Sequence, residues 1–181
     1  MAHRGLTGVL LVGGASRRFG SPKALARLDG ETLAARGWRV LGEACSERIA
    51  VGKASDELEL GFPLADDGTE VRAPIAGVVA GLCAAQHKVC VFLPVDCPFM
   101  TPEALVTLAE ACADAAVPPS GPLPGAYRRI ALPVLERRLA AGELALRDAL
   151  SELDTRVVEL DPGLLVNVNS PGDLMRARAG G

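Results

Sequence analysis

Between Leu10 and Leu25 the chain reads LLVGGASRRFGSPKAL, which places Gly13, Gly14, Gly20, Ser16, Arg17, Arg18 and Lys23 in one connector after an apolar run. Glycine has no Cβ, so its backbone reaches positive φ and lets a ligand approach closely. The cations add charge and hydrogen-bond donors. Together they fit a phosphate-rich ligand held by backbone N–H groups and basic side chains. The plain alternative is a glycine turn with solvated arginines. Two better-known glycine loops do not match. A Walker loop needs Lys-Ser/Thr directly after its last glycine, whereas Ser21 and Pro22 separate Gly20 from Lys23 and Ala24 follows. The spacing of Gly13, Gly14 and Gly20 is not G-x-G-x-x-G, which disfavours a dinucleotide-dependent oxidoreductase.

Three further segments carry groups of chemical interest. FLPVDCPF puts Asp96 just past an apolar run, although an acid before Pro98 is also an ordinary turn residue. ADDGTEVRAPIAG sets Asp66 and Asp67 ahead of Pro74, and either acid equally suits a plain turn. VNVNSPGDL brings Asn167 and Asn169 in front of a helix start built from Ser170, Pro171 and Asp173. The two histidines, His3 and His87, are too few and too far from any elbow serine for a Ser-His-Asp or Cys-His site. His87 reads as a solvent-exposed cap at a helix end.

These residues must be positioned by alternating elements. Leu6–Val12 and Lys88–Pro94 are apolar runs of buried-strand character, and Glu47–Val51 reads as a strand between them. Helical spacing marks 32–44 and 74–86, and Thr101-Pro102-Glu103 opens another helix with a hydroxyl N-cap, proline at N1 and an acid in the first turn. Later residues predict helices over 133–141, 146–153 and 170–178 and strands over 157–160 and 165–168. The Pro/Gly-rich stretch 117–124 reads as an active-site loop or crossover, since too few residues follow for a second core. The pattern predicts one domain of three α/β/α layers over 1–181, with a mostly parallel Rossmann-like sheet. Ligands of such sheets bind at the carboxyl ends of the strands, so the glycine loop and Asp96 can face one crevice.

Composition narrows the functional classes. With 181 residues, 49% of them hydrophobic, the chain can bury a sizeable core without staples. A net charge of -3 with scattered arginines disfavours nucleic acid as a partner. Five cysteines without a C-x-x-C pair argue against a disulfide framework and a zinc site, and predict small core hydrophobes in a reducing compartment. The absence of a long apolar stretch or leader pattern predicts a cytoplasmic protein without membrane contact.

In this order, over nearly the whole chain, G-G-x-S-x-R-x-G-x-x-K-A-L behind a strand, FLPVDCPF, ADDGTEVRAPIAG and VNVNSPGDL resemble the MobA-like molybdenum cofactor guanylyltransferases. The resemblance implies a nucleotide-diphospho-sugar transferase-like fold and transfer of GMP from GTP to the phosphate of molybdopterin, with or without bound molybdenum. It implies that Leu11, Val12, Gly13, Gly14 and Ser16 cradle the nucleotide and that Arg17 and Lys23 neutralise its phosphates. Asp96 would bind Mg²⁺, Lys53 and Asp66 would contact the nucleotide with Asp67 as the alternative to Asp66, and Arg128, Asn167 and Asn169 would serve the acceptor. Transient contact with molybdenum cofactor enzymes or chaperones follows from the same resemblance. The chain departs from the family pattern at Ala73, where glycine is usual, and at Lys53, where asparagine is frequent. Related cytidylyltransferases read Ala-Gly at Gly13-Gly14, so the bare Gly13 favours the larger purine. The remaining readings are cytidylyl transfer, transfer to another small phosphate, and a nucleotide-binding accessory subunit without catalysis.

Overall fold

A computed structural model describes residues 3–13 and 22–179. Its main sheet has seven strands in the order β5-β4-β1-β6-β8-β7-β9. These are β1 (His3–Leu11), β4 (Cys45–Gly52), β5 (Leu64–Asp66), β6 (Val89–Pro94), β7 (Ala115–Val117), β8 (Gly125–Arg128) and β9 (Thr155–Val157), while β2 (Arg27–Leu28) and β3 (Glu31–Thr32) form a small separate ribbon. Only β8 runs against the others. The helices are α1 (Leu33–Ala44), α2 (Pro74–Ala84), α3 (Pro102–Ala111), α4 (Leu132–Ala140), the single turn α5 (Leu146–Ala149) and α6 (Pro171–Ala179).

Strand alternation divides the interior into two cores. On β1, Leu6 and Leu10 pack with Leu33, Leu41, Leu105 and Leu108 of α1 and α3. Val9 and Leu11 face the other way, onto Ile75, Val78 and Leu82 of α2 and Leu135 of α4. β6 repeats the division, with Val91 and Leu93 in the first core and Cys90 and Phe92 in the second. A strand buried on both faces loses polar alternation, which is why these segments read as continuous apolar runs. The result is the expected three-layer α/β/α architecture.

The helix starts follow their local chemistry. Thr32 Oγ1 accepts from Ala35 N–H at 3.1 Å and Thr101 Oγ1 from Ala104 N–H at 3.3 Å, each satisfying a first-turn donor. From β1 the chain steps outward through α1 to β4 and β5, then returns through α2 to place β6 on the opposite flank of β1. This reversal between β1 and β6 opens a crevice beyond their carboxyl ends. Val95 N–H donates to Leu11 O at 3.1 Å and Val12 N–H to Val51 O at 2.9 Å, fixing the three exits beside one another.

Several expectations are corrected. Residues 165–168 form no strand: a 3-10 turn over Pro162–Leu165 leads into an extended segment whose Val168 N–H donates to Asp96 O at 2.8 Å. His87 is not an exposed helix cap. Its Nδ1 lies 3.0 Å from Thr7 Oγ1 and 3.5 Å from Glu47 Oε2, half-buried at the amino-terminal end of the sheet. The end of α2 is instead met by Arg129, whose guanidinium donates to Leu82 O and Ala85 O. Four of the cysteines are buried, Cys83 is exposed, and all five are free thiols. Among the described residues no helix is long and apolar enough to cross a membrane.

Candidate active site

A cavity of about 340 Å³ opens at the carboxyl ends of β1, β4 and β6, with Leu11, Val51 and Pro94 in its floor. Gly13, Lys53, Asp67, Asp96, Cys97, Leu123 and Asn167 line it together with the first turn of α2. Gly13 has a φ outside the left-handed region, and among the described residues a Cβ built there would meet nothing within 4 Å. Of the two properties that the sequence reading gave this glycine, positive φ and room for close approach, only the second is used at the cavity wall. Leu11 and Val12 are buried beneath it and contribute backbone at this point. Gly14, Ser16, Arg17, Arg18 and Gly20 lie outside the described residues, so the proposed cradle is seen only at its two ends.

Its far end, Lys23, starts a 3-10 turn over Lys23–Leu25 and reaches back across the crevice. Lys23 Nζ lies 3.3 Å from Asp96 Oδ2 and donates to Asn169 Oδ1 at 2.9 Å. Asp96 follows β6, and its carbonyl holds the backbone of Val168. Residues alternate along that extended segment: Val168 is fully buried while Asn167 and Asn169 are exposed on either side. Cys97 Sγ lies 3.0 Å from Asn167 Oδ1. Burial pushes the Cys97 thiol pKa well above its usual range, with the Asp96 charge acting in the same direction. One backbone bond thus brings together the segments carrying Asp96, Asn167 and Asn169.

On the other side of the cavity Lys53 leaves β4 and is buried, with Nζ 2.6 Å from Asp67 Oδ1 and a further bond to Thr69 O. The two adjacent acids divide their work. Asp67 lines the cavity, whereas Asp66 turns away: its oxygens accept from Ala54 N–H at 2.7 Å and Gly68 N–H at 2.8 Å. Those bonds hold its carboxyl pKa below the ordinary value. In place of the expected nucleotide contact by Asp66, the geometry offers Asp67. Register on β5 explains the difference, because one step along an extended backbone changes the face.

Arg128 does not reach the site. It pairs with Val89 at the start of β6, whereas the crevice lies past Pro94. The intervening length is about 17 Å at roughly 3.3 Å per residue. Ala73 needs no glycine, since its φ of -138° and ψ of 150° are those of ordinary extended chain. Sequence reasoning missed Cys97 and Leu123 as cavity residues. Leu123 lay within the stretch read as an active-site loop, but nothing in its residue type distinguished it.

The carboxylate of Asp96 stands at the cavity wall with its side chain 27% exposed. As a hard oxygen donor beside a cation and two amides, it suits Mg²⁺ shared with phosphate oxygens and water, which needs only one or two carboxylates.

Comparison with known proteins gives the same architecture a lineage. The model of the MobA-like NTP transferase domain matches residues 8–157. A protein of Desulfosudis oleivorans named molybdenum cofactor guanylyltransferase is 31% identical, the match covering 96% of this chain and 95% of that one. A Chloroflexus aggregans protein named "probable molybdenum cofactor guanylyltransferase" is 33% identical over 98% of this chain and 95% of its own. Among solved structures, molybdopterin-guanine dinucleotide biosynthesis protein A from Archaeoglobus fulgidus superposes with a TM-score of 0.81 at 26% identity, covering 96% of this chain and 97% of that one. The 2-C-methyl-D-erythritol 4-phosphate cytidylyltransferase of Thermus thermophilus, at 21% identity and a TM-score of 0.72, shares the fold. Matched over most of its length in sequence and in three dimensions, the chain belongs to the MobA-like NTP transferase family.

Proposed function

We propose that this protein transfers GMP from GTP to the terminal phosphate of molybdopterin, in its metal-free or molybdenum-bound form, and works in the cytoplasm. The observation that carries the reading is the convergence of Lys23 and Asn169 on Asp96, which lines the cavity. The acceptor is a phosphate monoester with a second pKa near ~6, so at neutral pH it is already an anionic nucleophile. Its oxygen attacks the α-phosphorus of GTP, the bond to the β-phosphate bridge breaks, and pyrophosphate leaves with the electron pair. No side chain has to remove a proton, in keeping with His87 lying at the other end of the sheet.

Catalysis on this reading is alignment and charge neutralisation. Lys23 supplies the cation for the phosphates, and the open wall at Gly13 admits a purine. Lys53 and Asp67 present a donor and an acceptor at the far side of the cavity. Asp96 and Asn169 hold Lys23 in place before substrate enters. Asp96 is the residue that would hold Mg²⁺, which when bound neutralises phosphate oxygens and makes the α-phosphorus more electrophilic.

The test is to supply each nucleoside triphosphate separately with Mg²⁺ and molybdopterin, measuring both pyrophosphate release and nucleotide incorporated into the pterin. GTP alone should support both. Incorporation from CTP would assign the base differently, and GTP binding without pyrophosphate release would make the chain an accessory subunit.

A further inference from the structure

Cys97 is 3% exposed, yet its sulfur reaches the one side chain of the 165–168 segment that lines the cavity, Asn167. Asn167 itself is exposed. An exposed asparagine at the edge of a loop turns freely about its terminal torsion, and its oxygen and nitrogen then exchange places. Here one end is tied. The thiol lies 3.0 Å from Oδ1, against 3.7 Å from Asp96 Oδ1, so its hydrogen-bond donor faces the amide oxygen as the nearer acceptor. Asn169 is fixed in the same sense from another direction, because its Oδ1 accepts from Lys23 at 2.9 Å. Both amide oxygens are thereby spoken for, and the amide N–H groups are what Asn167 can offer to a ligand.

We infer that Cys97 is a positioning residue: its buried thiol donates to Asn167 Oδ1 and turns the Asn167 N–H groups toward the cavity, where they meet an oxygen of the acceptor's phosphate. The ligand class is an oxyanion, since the two N–H donors of the Asn167 amide suit oxygen. This inference rests on the proposed transfer reaction for the identity of the acceptor, but the orientation of the amide is independent of it. Three features place Cys97 there. The turn after β6 has Cys97 N–H donating to Pro94 O at 3.1 Å, the bond from Val168 N–H to Asp96 O ties the two segments, and Cys97 and Asn167 flank that bond.

The experiment compares wild type with Cys97→Ala, Cys97→Ser, Asn167→Ala and the double variant Cys97→Ala/Asn167→Ala. Steady-state transfer from GTP to molybdopterin is followed by pyrophosphate release. Loss of one neutral hydrogen bond predicts a rise of about fivefold in KM for molybdopterin in Cys97→Ala, with KM for GTP unchanged. Cys97→Ser keeps a donor and should return the KM to within about twofold of wild type. In the Asn167→Ala background the Cys97→Ala change should add nothing to KM for molybdopterin, because the route through the amide is gone. Additive effects in the double variant, equal rises in both KM values, or no rescue by serine would each overturn the inference. Side-chain amide signals of Asn167 in ¹⁵N-labelled protein provide a reading that needs no turnover. The two N–H resonances should shift in Cys97→Ala and stay in Cys97→Ser. If wild type transfers no nucleotide at all, the proposed reaction fails while this spectrum still tests the tie, and an unmoved Asn167 pair in Cys97→Ala overturns it. Melting temperatures of the four variants identify any that fails through unfolding.

Discussion

Lys23 and Asp96, 73 residues apart in the chain, meet at 3.3 Å across the crevice between the exits of β1 and β6. Their side chains keep 18% and 27% exposure, so the pair is open to an incoming anion and adds little to stability. It is a preset arrangement of charge, with the cation held where a phosphate can take it over.

Lys23→Met should therefore lower kcat/KM for GTP by about 10²–10³-fold, the usual loss on removing one preorganised donor from a reacting centre. Pyrophosphate release measures it. The melting temperature should stay close to that of wild type, and a large fall would mean that the lysine acts through the fold.

Asp96→Asn removes the carboxylate but keeps its size and one oxygen. Turnover that rises with added Mg²⁺ in wild type should become insensitive to it and fall to background. Unchanged activity at any Mg²⁺ concentration would rule Asp96 out as the metal ligand.

The Lys53–Asp67 pair responds differently because it is buried, with side chains 8% and 7% exposed. Lys53→Met leaves a carboxylate with little water and should cost about 3–5 kcal/mol in urea unfolding. Replacing both, as Lys53→Met with Asp67→Leu, should recover most of that loss. A double variant as unstable as the single one would show that Thr69 O, the other partner of Lys53, dominates.

Asp66 gives a pH-dependent contribution. Backbone N–H groups of Ala54 and Gly68 lower its folded pKa, so the unfolded chain binds the proton more readily. The stabilisation is complete above its ordinary pKa of about 3.9 and is lost as the pH falls through the lower folded value. Asp66→Ala should flatten the acid limb of a stability profile while keeping GTP turnover, because Asp67 is the acid that lines the cavity.

Gly81 sits on α2 directly over the sheet, where a Cβ would lie 2.7 Å from Phe92 Cε1 and 2.9 Å from Val9 Cγ1. Alanine raises helix propensity by about 1 kcal/mol, but overpacking against a β-branched side chain and a ring costs about 1–3 kcal/mol. Gly81→Ala should be net destabilising in thermal unfolding, and a stabilised variant would mean that the two layers separate easily.

Elements were legible where local chemistry alone decides them. Thr101 announces its helix through a capping hydroxyl, α1 through its apolar spacing, and β1 and β6 through apolar runs that only a doubly covered strand needs. The short strands β7 (Ala-Ala-Val) and β8 (Gly-Ala-Tyr-Arg) carry no such signal, because neighbouring strands hold them in place. Among the site residues, Lys23, Asp96 and Asn169 could be named from motif and order. The choice between Asp66 and Asp67 could not, because it depends on which face a three-residue edge strand presents. Arg128 was misplaced for a related reason: only the antiparallel register of β8 shows that it points to the amino-terminal end of β6.

The guanidinium of Arg129 against the final carbonyls of α2 has an effect at the other end of that helix. Aligned peptide dipoles leave partial negative charge at a helix's tail and partial positive charge at its head. Arg129 offsets the tail, whereas the head, at Ala73 and Pro74, faces the cavity with no side-chain cap. The layer of helix behind the sheet thus lends the cavity a positive pole that none of its lining side chains has to carry.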